Sequence, residues 1–278
     1  MFSLNLKGNL LTADDSMIMG ILNITPDSFF TSNWQSNKAE IIAMVAVMLK
    51  NGMDIIDVGG QSTRPGSERI SEKEELSRIL PVIQIIHEEF PQLPISVDTY
   101  QCRVAEEAVN AGASIINDIS GGDMDKAMLR TVAALGVPFV CMHMQGRPET
   151  MQENPVYDDV ASEVLRALAY KTEKCHAAGI KDVILDPGFG FGKNVDHNFK
   201  LLNRLSDFKK LDKPILAGLS RKSLIFRTLG ITAAESKNGT TVMNTLAVLN
   251  GANILRVHDV PEANEVRKLI RAYKKAAS

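Results

Sequence analysis

The chain has 278 residues, of which 45% are hydrophobic and 23% are charged, a globular composition that excludes disordered, collagen-like and coiled-coil proteins. Thirty-one lysines and arginines nearly balance 33 aspartates and glutamates, which leaves a net charge of -2. There is no overall basic field to hold nucleic acid or an anionic membrane surface, so a bound anion must meet a local cluster of cations. The length allows about two domains of ~150 residues or one large α/β barrel.

The cysteines and the amino terminus bear on the compartment. Three cysteines, Cys102, Cys141 and Cys175, lie far apart without a C-x-x-C pair, a pattern typical of neither a disulfide framework nor a thiolate zinc site. The first residues show no charged leader before an apolar stretch, and the longest apolar run, residues 41–49, is far short of the ~20 residues of a membrane span. We expect a cytoplasmic protein that binds neither membranes nor nucleic acid.

One arrangement recurs along the chain: an amphipathic stretch, a glycine, a short apolar run and then a polar residue. Glycine commonly follows a helix, and continuous apolar runs are typical of strands buried on both faces of a parallel sheet. The eight predicted strands span residues 17–23, 54–60, 94–98, 114–118, 138–143, 183–186, 214–218 and 254–258. Helices are predicted at about residues 39–51, 71–89, 101–111, 125–135, 160–178, 198–205, 222–229, 239–250 and 261–275.

This alternation predicts an α/β fold, a (β/α)₈ barrel. Because no linker or low-complexity tract interrupts it, we expect residues 1–278 to form one domain. A doubly wound open sheet stays as the alternative, since the strand pattern alone does not show closure. Residues 3–14 precede the first barrel strand, and we expect them to form a short hairpin over the bottom of the barrel.

Polar side chains follow the predicted strands, at the end where barrels of this kind carry their active sites. They are Asn23, Asp57, Asp98, Asn117, Asp118, His143, Asp186, Ser220, Arg221, Lys222, Arg256 and His258. The carboxylates and amides can offer a flat array of donors and acceptors to a heterocycle, while the cations can gather negative charge on the other side. No pair of histidines has metal spacing on a helix, so a zinc site is not supported.

Four loop segments add to this expectation. Residues 23–29 and 59–66 follow the first two barrel strands, where mobile active-site loops are expected. The glycine-rich residues 186–193 match neither a Walker A loop nor the dinucleotide motif G-x-G-x-x-G. We therefore expect them to form a tight backbone turn beneath a flat ligand, with Phe191 as one wall of the ligand site. Residues 220–223 open a helix with hydroxyls and two cations, a favourable place for an anion. His143 fits a hydrogen-bonded core residue as well as a catalytic one.

With these residues in view, the sequence resembles the dihydropteroate synthases from about residue 17 to residue 258. The motifs that carry the resemblance lie at residues 20–29, 57–60 with 62–66, 96–99, 116–118, 142–146, 186–193, 220–223 and 256–259. The resemblance implies a (β/α)₈ barrel that condenses 6-hydroxymethyl-7,8-dihydropterin diphosphate with 4-aminobenzoate. The products would be 7,8-dihydropteroate, a folate precursor, and diphosphate. It also implies Mg²⁺, a homodimer through barrel helices, and sulfonamides as competitors of 4-aminobenzoate.

Carried over residue by residue, the resemblance implies a pterin slot formed by Asp98, Asn117, Asp186 and Lys222. The diphosphate would be bound by Asn23, Arg256 and His258, with Asn23 also a ligand of Mg²⁺. The 4-aminobenzoate would be bordered by Thr63, Arg64, Pro65, Phe191 and Ser223. The catalytic residues would be Asp98, Lys222 and Arg64, since cations neutralise the departing diphosphate while Asp98 stabilises the cation that develops on the pterin.

Two departures and two alternatives stand beside this resemblance. Gln61 occupies a position where the family commonly has Glu, and residues 30–34 replace the usual Ser-Asp-Gly-Gly type of turn. Both departures bear on closure of the loops and on aminobenzoate affinity, not on the pterin slot. A methyltransferase acting from methyltetrahydrofolate to a corrinoid protein would share the Asp and Asn slot, and a pterin-binding barrel without catalysis would share the fold.

Overall fold

The computed structural model describes residues 1–24, 34–61, 69–148 and 150–276, with the backbone alone for residues 34–37. Ten strands lie within these ranges. They are β1 (Phe2–Leu6), β2 (Asn9–Ala13), β3 (Met17–Asn23), β4 (Ile55–Gly59), β5 (Ile95–Asp98), β6 (Ile115–Asp118), β7 (Phe139–Met142), β8 (Val183–Asp186), β9 (Leu216–Ala217) and β10 (Ile254–Val257). All eight predicted barrel strands are present, several of them shorter at one or both ends.

Nine α-helices lie in the same ranges. They are α1 (Trp34–Lys50), α2 (Glu72–Glu89), α3 (Cys102–Asn110), α4 (Met128–Leu135), α5 (Val160–Ala178), α6 (Val195–Asn203), α7 (Ser223–Leu229), α8 (Lys237–Leu249) and α9 (Val260–Ala276). A 3₁₀ helix, Leu205–Leu211, is not predicted by the sequence pattern. Helix α6 begins three residues before its predicted start because Asn194 caps it, its side chain accepting from the His197 N–H at 2.8 Å.

The strands β3 to β10 form one parallel sheet in the order β8-β7-β6-β5-β4-β3-β10-β9. Its two outer strands meet through a parallel bridge between Leu185 and Ile215, and the Leu185 N–H donates to the Pro214 carbonyl at 2.8 Å. Each strand therefore neighbours the next along the chain, and the sheet closes on itself. The predicted (β/α)₈ barrel is confirmed. The doubly wound alternative is wrong, because that fold reverses its strand order at a switch point.

Residues two apart on a strand face the same side of a sheet, and this spacing divides the barrel interior into layers. Three strands show the pattern: an apolar residue near the bottom is followed, two positions later, by a polar residue near the top. The pairs are Ile55 and Asp57, Ile115 and Asn117, and Ile184 and Asp186, and all six residues are buried. The interior is thus apolar at its lower end and polar at the carboxyl ends of the strands.

The predicted amino-terminal hairpin is confirmed. Strands β1 and β2 pair antiparallel from Phe2 opposite Ala13 to Leu6 opposite Asn9, and Lys7 and Gly8 have φ angles of 52° and 97°, as a two-residue type I′ turn requires. Leu4 and Leu6 are buried against the lower apolar layer of the barrel. The hairpin therefore forms the floor of the barrel.

The helices cover the outside of the barrel. Their buried faces form one continuous apolar core with the outward-facing residues of the strands, an arrangement that buries both faces of a parallel sheet. Helix α2 is capped as predicted by Ser71, whose hydroxyl accepts from the Glu74 N–H at 3.2 Å. In the ranges given above, we find no helix with the length and apolar character needed to cross a bilayer.

Candidate active site

An arginine and two carboxylates form the centre of the polar layer. Arg256, on β10, donates through Nε to Asp57 Oδ2 at 2.6 Å and through Nη2 to Asp98 Oδ2 at 2.7 Å. Asn117 Nδ2 donates to the same Asp57 oxygen at 3.1 Å. Residues from four strands are therefore linked by charge-assisted hydrogen bonds, which are stronger than bonds between neutral groups.

Asp57 is the deepest member of this cluster and has no role in the sequence-based assignment. It is fully buried, and its Oδ1 has no hydrogen-bond partner among the described residues; the same holds for Ser96 Oγ on the neighbouring strand. Buried polar atoms are seldom left without partners. Asp57 is polar, lies in β4 and follows Ile55 by two positions, and that spacing could have placed it inside the barrel beside Arg256.

Burial changes the protonation of Asp98. Because the carboxyl group lies inside the barrel, and because Asp57, Glu75 and Asp118 add negative charge while Arg256 only partly offsets it, its pKa is raised to about 7. Arg256 keeps its charge, since Asp57 and Asp98 raise its pKa against the effect of burial. The site therefore holds a fixed cation beside a carboxyl group that titrates near neutral pH.

The segment after β8, residues 186–193, is called here the glycine segment. It begins at Asp186, which is buried and accepts from the Gly188 N–H at 2.7 Å. Gly188 has a φ of 70°, and a Cβ there would overlap the His143 carbonyl oxygen, so glycine is required. Lys222 lies over this segment, donating to the Phe189 carbonyl, with its Nζ 4.7 Å from the centre of the Phe191 ring. That this segment lies beneath a flat ligand, with Phe191 as a wall, stays a prediction.

Lys222 and Asp186 influence each other's charge. Burial lowers the pKa of Lys222 to about 8, and the negative charge of Asp186 opposes that shift. Burial raises the pKa of Asp186, and the charge of Lys222 opposes that shift in turn. Each group therefore helps the other to stay ionised.

A deeply buried lysine was not recognised from the sequence as part of the site. Lys193, which ends the glycine segment, is 1% exposed, and its Nζ lies 3.0 Å from His143 Nδ1. Burial lowers the pKa of Lys193 to about 7, and burial together with the Lys193 charge holds the pKa of His143 well below its usual value. Of the two readings left open for His143, the hydrogen-bonded core residue fits this geometry.

The residues expected to meet an anion lie nearer the surface. Asn23 is exposed at the end of β3, and a Cβ on Gly59 would lie 3.6 Å from Asn23 Oδ1 and 3.8 Å from Asp98 Oδ2, so Asn23 and Asp98 flank Gly59. His258 is exposed, with Nδ1 3.0 Å from Ser220 Oγ. Ser223 is the first residue of α7 and follows Lys222 directly.

One cation of the predicted anion-binding site at residues 220–223 forms an ion pair instead. Arg221 donates through Nε and Nη2 to Asp259, at 3.0 and 2.6 Å, and this pair links the start of α7 to the residue before α9. The three loop residues Thr63, Arg64 and Pro65 lie outside the described residues, as do residues 25–33 of the first loop. The described base of the second loop is held by Gln61, whose Oε1 accepts from the Ile70 N–H at 2.8 Å.

This layout suits one flat, polar ligand with an anionic arm. Carboxylates and an amide at the bottom can pair with ring N–H and amino groups, Lys222 can donate to a ring oxygen, and exposed groups at the rim can meet the charged arm. A model of the pterin binding enzyme family matches residues 19–258. The dihydropteroate synthase of Escherichia coli K12 is 42% identical over 96% of this chain and 94% of its own length.

The chain belongs to the dihydropteroate synthase family. The Haemophilus influenzae member of the family is 44% identical over 92% of this chain and 93% of its own length. The resemblance noted from the motifs is confirmed, and with it the prediction of a transferase of folate biosynthesis. Neither a corrinoid methyltransferase nor a barrel without catalysis finds support among these relatives.

Solved structures of the family agree with the fold. The Yersinia pestis dihydropteroate synthase, crystallised with a sulfonamide drug complex, superposes with a TM-score of 0.92 at 39% identity, covering 99% of this chain and 100% of that one. The Xanthomonas albilineans dihydropteroate synthase with 4-aminobenzoic acid gives a TM-score of 0.90 at 38% identity, covering 98% of each chain. At this identity the barrel and its family are shared along nearly the whole chain.

Proposed function

We propose that this chain condenses 6-hydroxymethyl-7,8-dihydropterin diphosphate with 4-aminobenzoate, giving 7,8-dihydropteroate and diphosphate. The observation that carries the proposal is the buried polar layer, in which Asp98, Asn117 and Asp186 are 4–6% exposed and Lys222 stands at the edge of the slot. A pterin offers an edge of alternating donors and acceptors and one ring oxygen. Buried carboxylates and amides, which need partners, select such an edge.

The pterin would lie with its amino and ring nitrogen groups on Asp186 and Asn117 and its ring oxygen toward Lys222. Asp98 would lie beneath the half of the ring that bears the reacting methylene. Because Arg256 holds Asp98 at 2.7 Å, the carboxylate is oriented before the substrate arrives, and preorganised charge acts most strongly in a site that excludes water.

The diphosphate would be bound by Asn23, Arg256 and His258. Two nitrogens of Arg256 are engaged by carboxylates, and Nη1 has no hydrogen bond among the described residues, so a guanidinium N–H remains for a phosphate oxygen. Mg²⁺ would be held by Asn23 Oδ1, an exposed hard oxygen, together with diphosphate oxygens, as suits an ion that is often bound by few protein ligands and by substrate phosphates. When bound, the ion would neutralise charge on the departing diphosphate.

The 4-aminobenzoate would bind between the Phe191 ring and Ser223, with Thr63, Arg64 and Pro65 of the second loop on its other side. Its carboxylate would lie near Ser223 and Lys222. A sulfonamide presents an aniline with an anionic arm and would occupy the same place. This arrangement points the amine of the second substrate at the pterin methylene.

The residues then act as follows. The bond between the methylene carbon and the diphosphate oxygen breaks, and its electron pair leaves with the diphosphate, which Arg256, Arg64 and His258 stabilise. The positive charge left on the pterin is stabilised by ionised Asp98. The amine nitrogen of 4-aminobenzoate forms the new bond to the methylene carbon, and that nitrogen gives up a proton to the departing diphosphate or to water, so the atoms and charges balance.

The direct test is diphosphate release. We expect release only when both the pterin diphosphate and 4-aminobenzoate are present, and we expect excess chelator to lower the rate at least tenfold because the leaving group loses its counter-ion. Adding Mg²⁺ beyond the chelator should restore the rate. Full activity in chelator would contradict the metal assignment, and release without 4-aminobenzoate would show a hydrolase instead.

The pH profile tests the role of Asp98. Only the ionised carboxylate stabilises a cation, so with its pKa raised to about 7 we expect kcat/KM to fall about tenfold per unit as the pH drops below 7. An unperturbed Asp would place this fall near pH 4. In Asp98→Asn this fall on the acid side of pH 7 should be absent. A fall near pH 7 that persists in Asp98→Asn would assign the titration to another group.

Three further parts of the proposal concern the whole protein. We propose that residues 1–278 form one domain, which the closed barrel and its hairpin floor support. A homodimer is supported by an apolar face on the outer helices, where Leu229, Val242, Leu246 and Leu249 are 41–55% exposed. A cytoplasmic location is supported by the cysteines, which are all free, as is usual in a reducing compartment.

A further inference from the structure

The ammonium group of Lys193 is enclosed by acceptors. Its Nζ donates to the carbonyl oxygens of Gly188 at 2.9 Å and Phe191 at 3.0 Å, and lies 3.4 Å from that of His143. In the described part of the chain no carboxylate lies within 4.0 Å of it. A lysine this deep in the protein usually has a carboxylate partner, so here the backbone carbonyls take that place.

The fourth acceptor fixes the state of a histidine. His143 Nδ1 lies 3.0 Å from Lys193 Nζ. When Lys193 is protonated, its ammonium group has donors only, so in that state Nδ1 accepts and the ring proton is on Nε2. His143 follows β7, whereas Lys193 ends the segment after β8. The lysine therefore ties the ends of two neighbouring strands together.

The enclosed carbonyls belong to the part of the glycine segment that borders the substrate slot. Gly188 donates to the Asp186 carboxylate, the Phe189 carbonyl accepts from Lys222, and the Phe191 ring lies 4.7 Å from Lys222 Nζ. Without the ammonium group, the Phe191 carbonyl would lose the Lys193 donor, while the Gly188 carbonyl would keep the Phe191 N–H at 3.1 Å. The segment would then rearrange so that the Phe191 carbonyl reaches water, because a buried acceptor without a partner is destabilising.

We propose that Lys193 is a positioning residue for the second substrate. Its ammonium group, held by the Gly188 and Phe191 carbonyls and His143, fixes the glycine segment so that the Phe191 ring forms one wall of the 4-aminobenzoate pocket. The inference rests on the proposed function, since it assigns that wall to 4-aminobenzoate. On the pterin side, Asp98 and Asn117 lie on other strands and do not contact Lys193. Asp186 and Lys222 do bond to the glycine segment, at Gly188 and Phe189, so pterin binding should weaken too, but less than 4-aminobenzoate binding.

The test is Lys193→Met, which keeps the length of the side chain and removes its donors. We expect the KM for 4-aminobenzoate to rise at least tenfold while the KM for the pterin diphosphate changes less than threefold. The matched control is Lys200→Met, on the exposed face of α6, where Lys200 is paired with Asp196 at 2.6 Å; both KM values should stay within twofold. A general loss of structure would raise both KM values together, so equal changes would overturn the inference, as would an unchanged KM for 4-aminobenzoate.

Chemical rescue separates the lost ammonium group from other effects. Lys193→Ala removes the atoms of n-propylammonium, so adding that ion should lower the KM for 4-aminobenzoate. Tetramethylammonium, a cation without N–H donors, should not. Equal effects of both ions, or no effect from either, would count against the proposed role of the Lys193 N–H donors. Lys193→Arg keeps the charge but changes the shape of the donor group. If Lys193→Met does not fold, the KM values for 4-aminobenzoate and for the pterin diphosphate are compared in Lys193→Arg instead.

Hydrogen exchange provides a readout that does not depend on activity. The backbone amides of residues 188–192 should exchange faster in Lys193→Met than in the unaltered protein or in Lys200→Met. If the unaltered protein shows no condensation, the proposed function fails, but the hydrogen-exchange comparison still tests whether Lys193 holds the carbonyls of the glycine segment. If condensation is normal and exchange of this segment is unchanged in Lys193→Met, the inference fails alone.

Discussion

Replacing Arg256 by Met is expected to lower kcat/KM at least a hundredfold and to destabilise the protein. Asp57 is fully buried and Asp98 is 5% exposed, and both carboxylates lose their shared cation in this variant. Removing one partner of a buried ion pair costs about 3–5 kcal/mol. Diphosphate release and the midpoint of urea unfolding measure the two effects.

The variant also tests how Arg256 divides its work. If it served the diphosphate alone, the affinity for a pterin without diphosphate would be unchanged. Because Arg256 also holds Asp57 and Asp98, we expect the pterin with diphosphate and the pterin without it both to bind more weakly. The pterin with diphosphate should lose more affinity. Arg204→Met is the control, since Arg204 lies on the surface and pairs with Asp159 and Asp207; its activity should be unaffected. Full activity in Arg256→Met would remove the arginine from the site.

Replacing Asp186 by Asn is expected to weaken pterin binding at least tenfold without loss of the fold. The amide oxygen of Asn can still accept from the Gly188 N–H, which now bonds to Asp186 at 2.7 Å, so the turn is preserved. The other oxygen becomes an NH₂ donor facing the donors of the pterin, a buried mismatch that costs about 1–3 kcal/mol. The variant also removes the negative charge opposite Lys222. Calorimetry with a pterin measures the affinity.

Asp196→Asn is the matched control for this change. Asp196 lies on the exposed face of α6, 66% exposed and paired with Lys200, and the same substitution there should leave pterin affinity unchanged. A folded Asp186→Asn protein with unaltered pterin affinity would exclude Asp186 from the pterin slot.

The fold could be predicted from the sequence because its signals are local and repeated. Glycines after helices, continuous apolar runs and capping residues such as Ser71 each report on a few neighbouring residues. Closure of the sheet depends on the bridge between Leu185 and Ile215, a contact across two strands that no local pattern contains. The 3₁₀ helix Leu205–Leu211 was missed because it has no extended periodicity.

The sequence predicts which residues come together in the site but not which of them bond to one another. The motifs brought Asp98, Asn117 and Asp186 to one end of the barrel, and the structure places them there. That Arg256 is shared between Asp57 and Asp98, and that Lys193 turns inward to backbone carbonyls, follows from side-chain direction and burial in three dimensions. A lysine in a glycine-rich loop after a strand first suggests a phosphate ligand, and only its depth shows otherwise.

The hairpin floor has a consequence for side reactions. Leu4 and Leu6 cover the lower apolar layer, so among the described residues the hairpin closes the barrel at the amino ends of its strands. A carbon that becomes electrophilic inside such a chamber can be captured by water as readily as by an amine. With the lower end covered, water would approach from the same side as 4-aminobenzoate, and the bound amine would shield the intermediate that it consumes. Condensation rather than hydrolysis is then favoured by the shape of the chamber as well as by the chemistry at its rim.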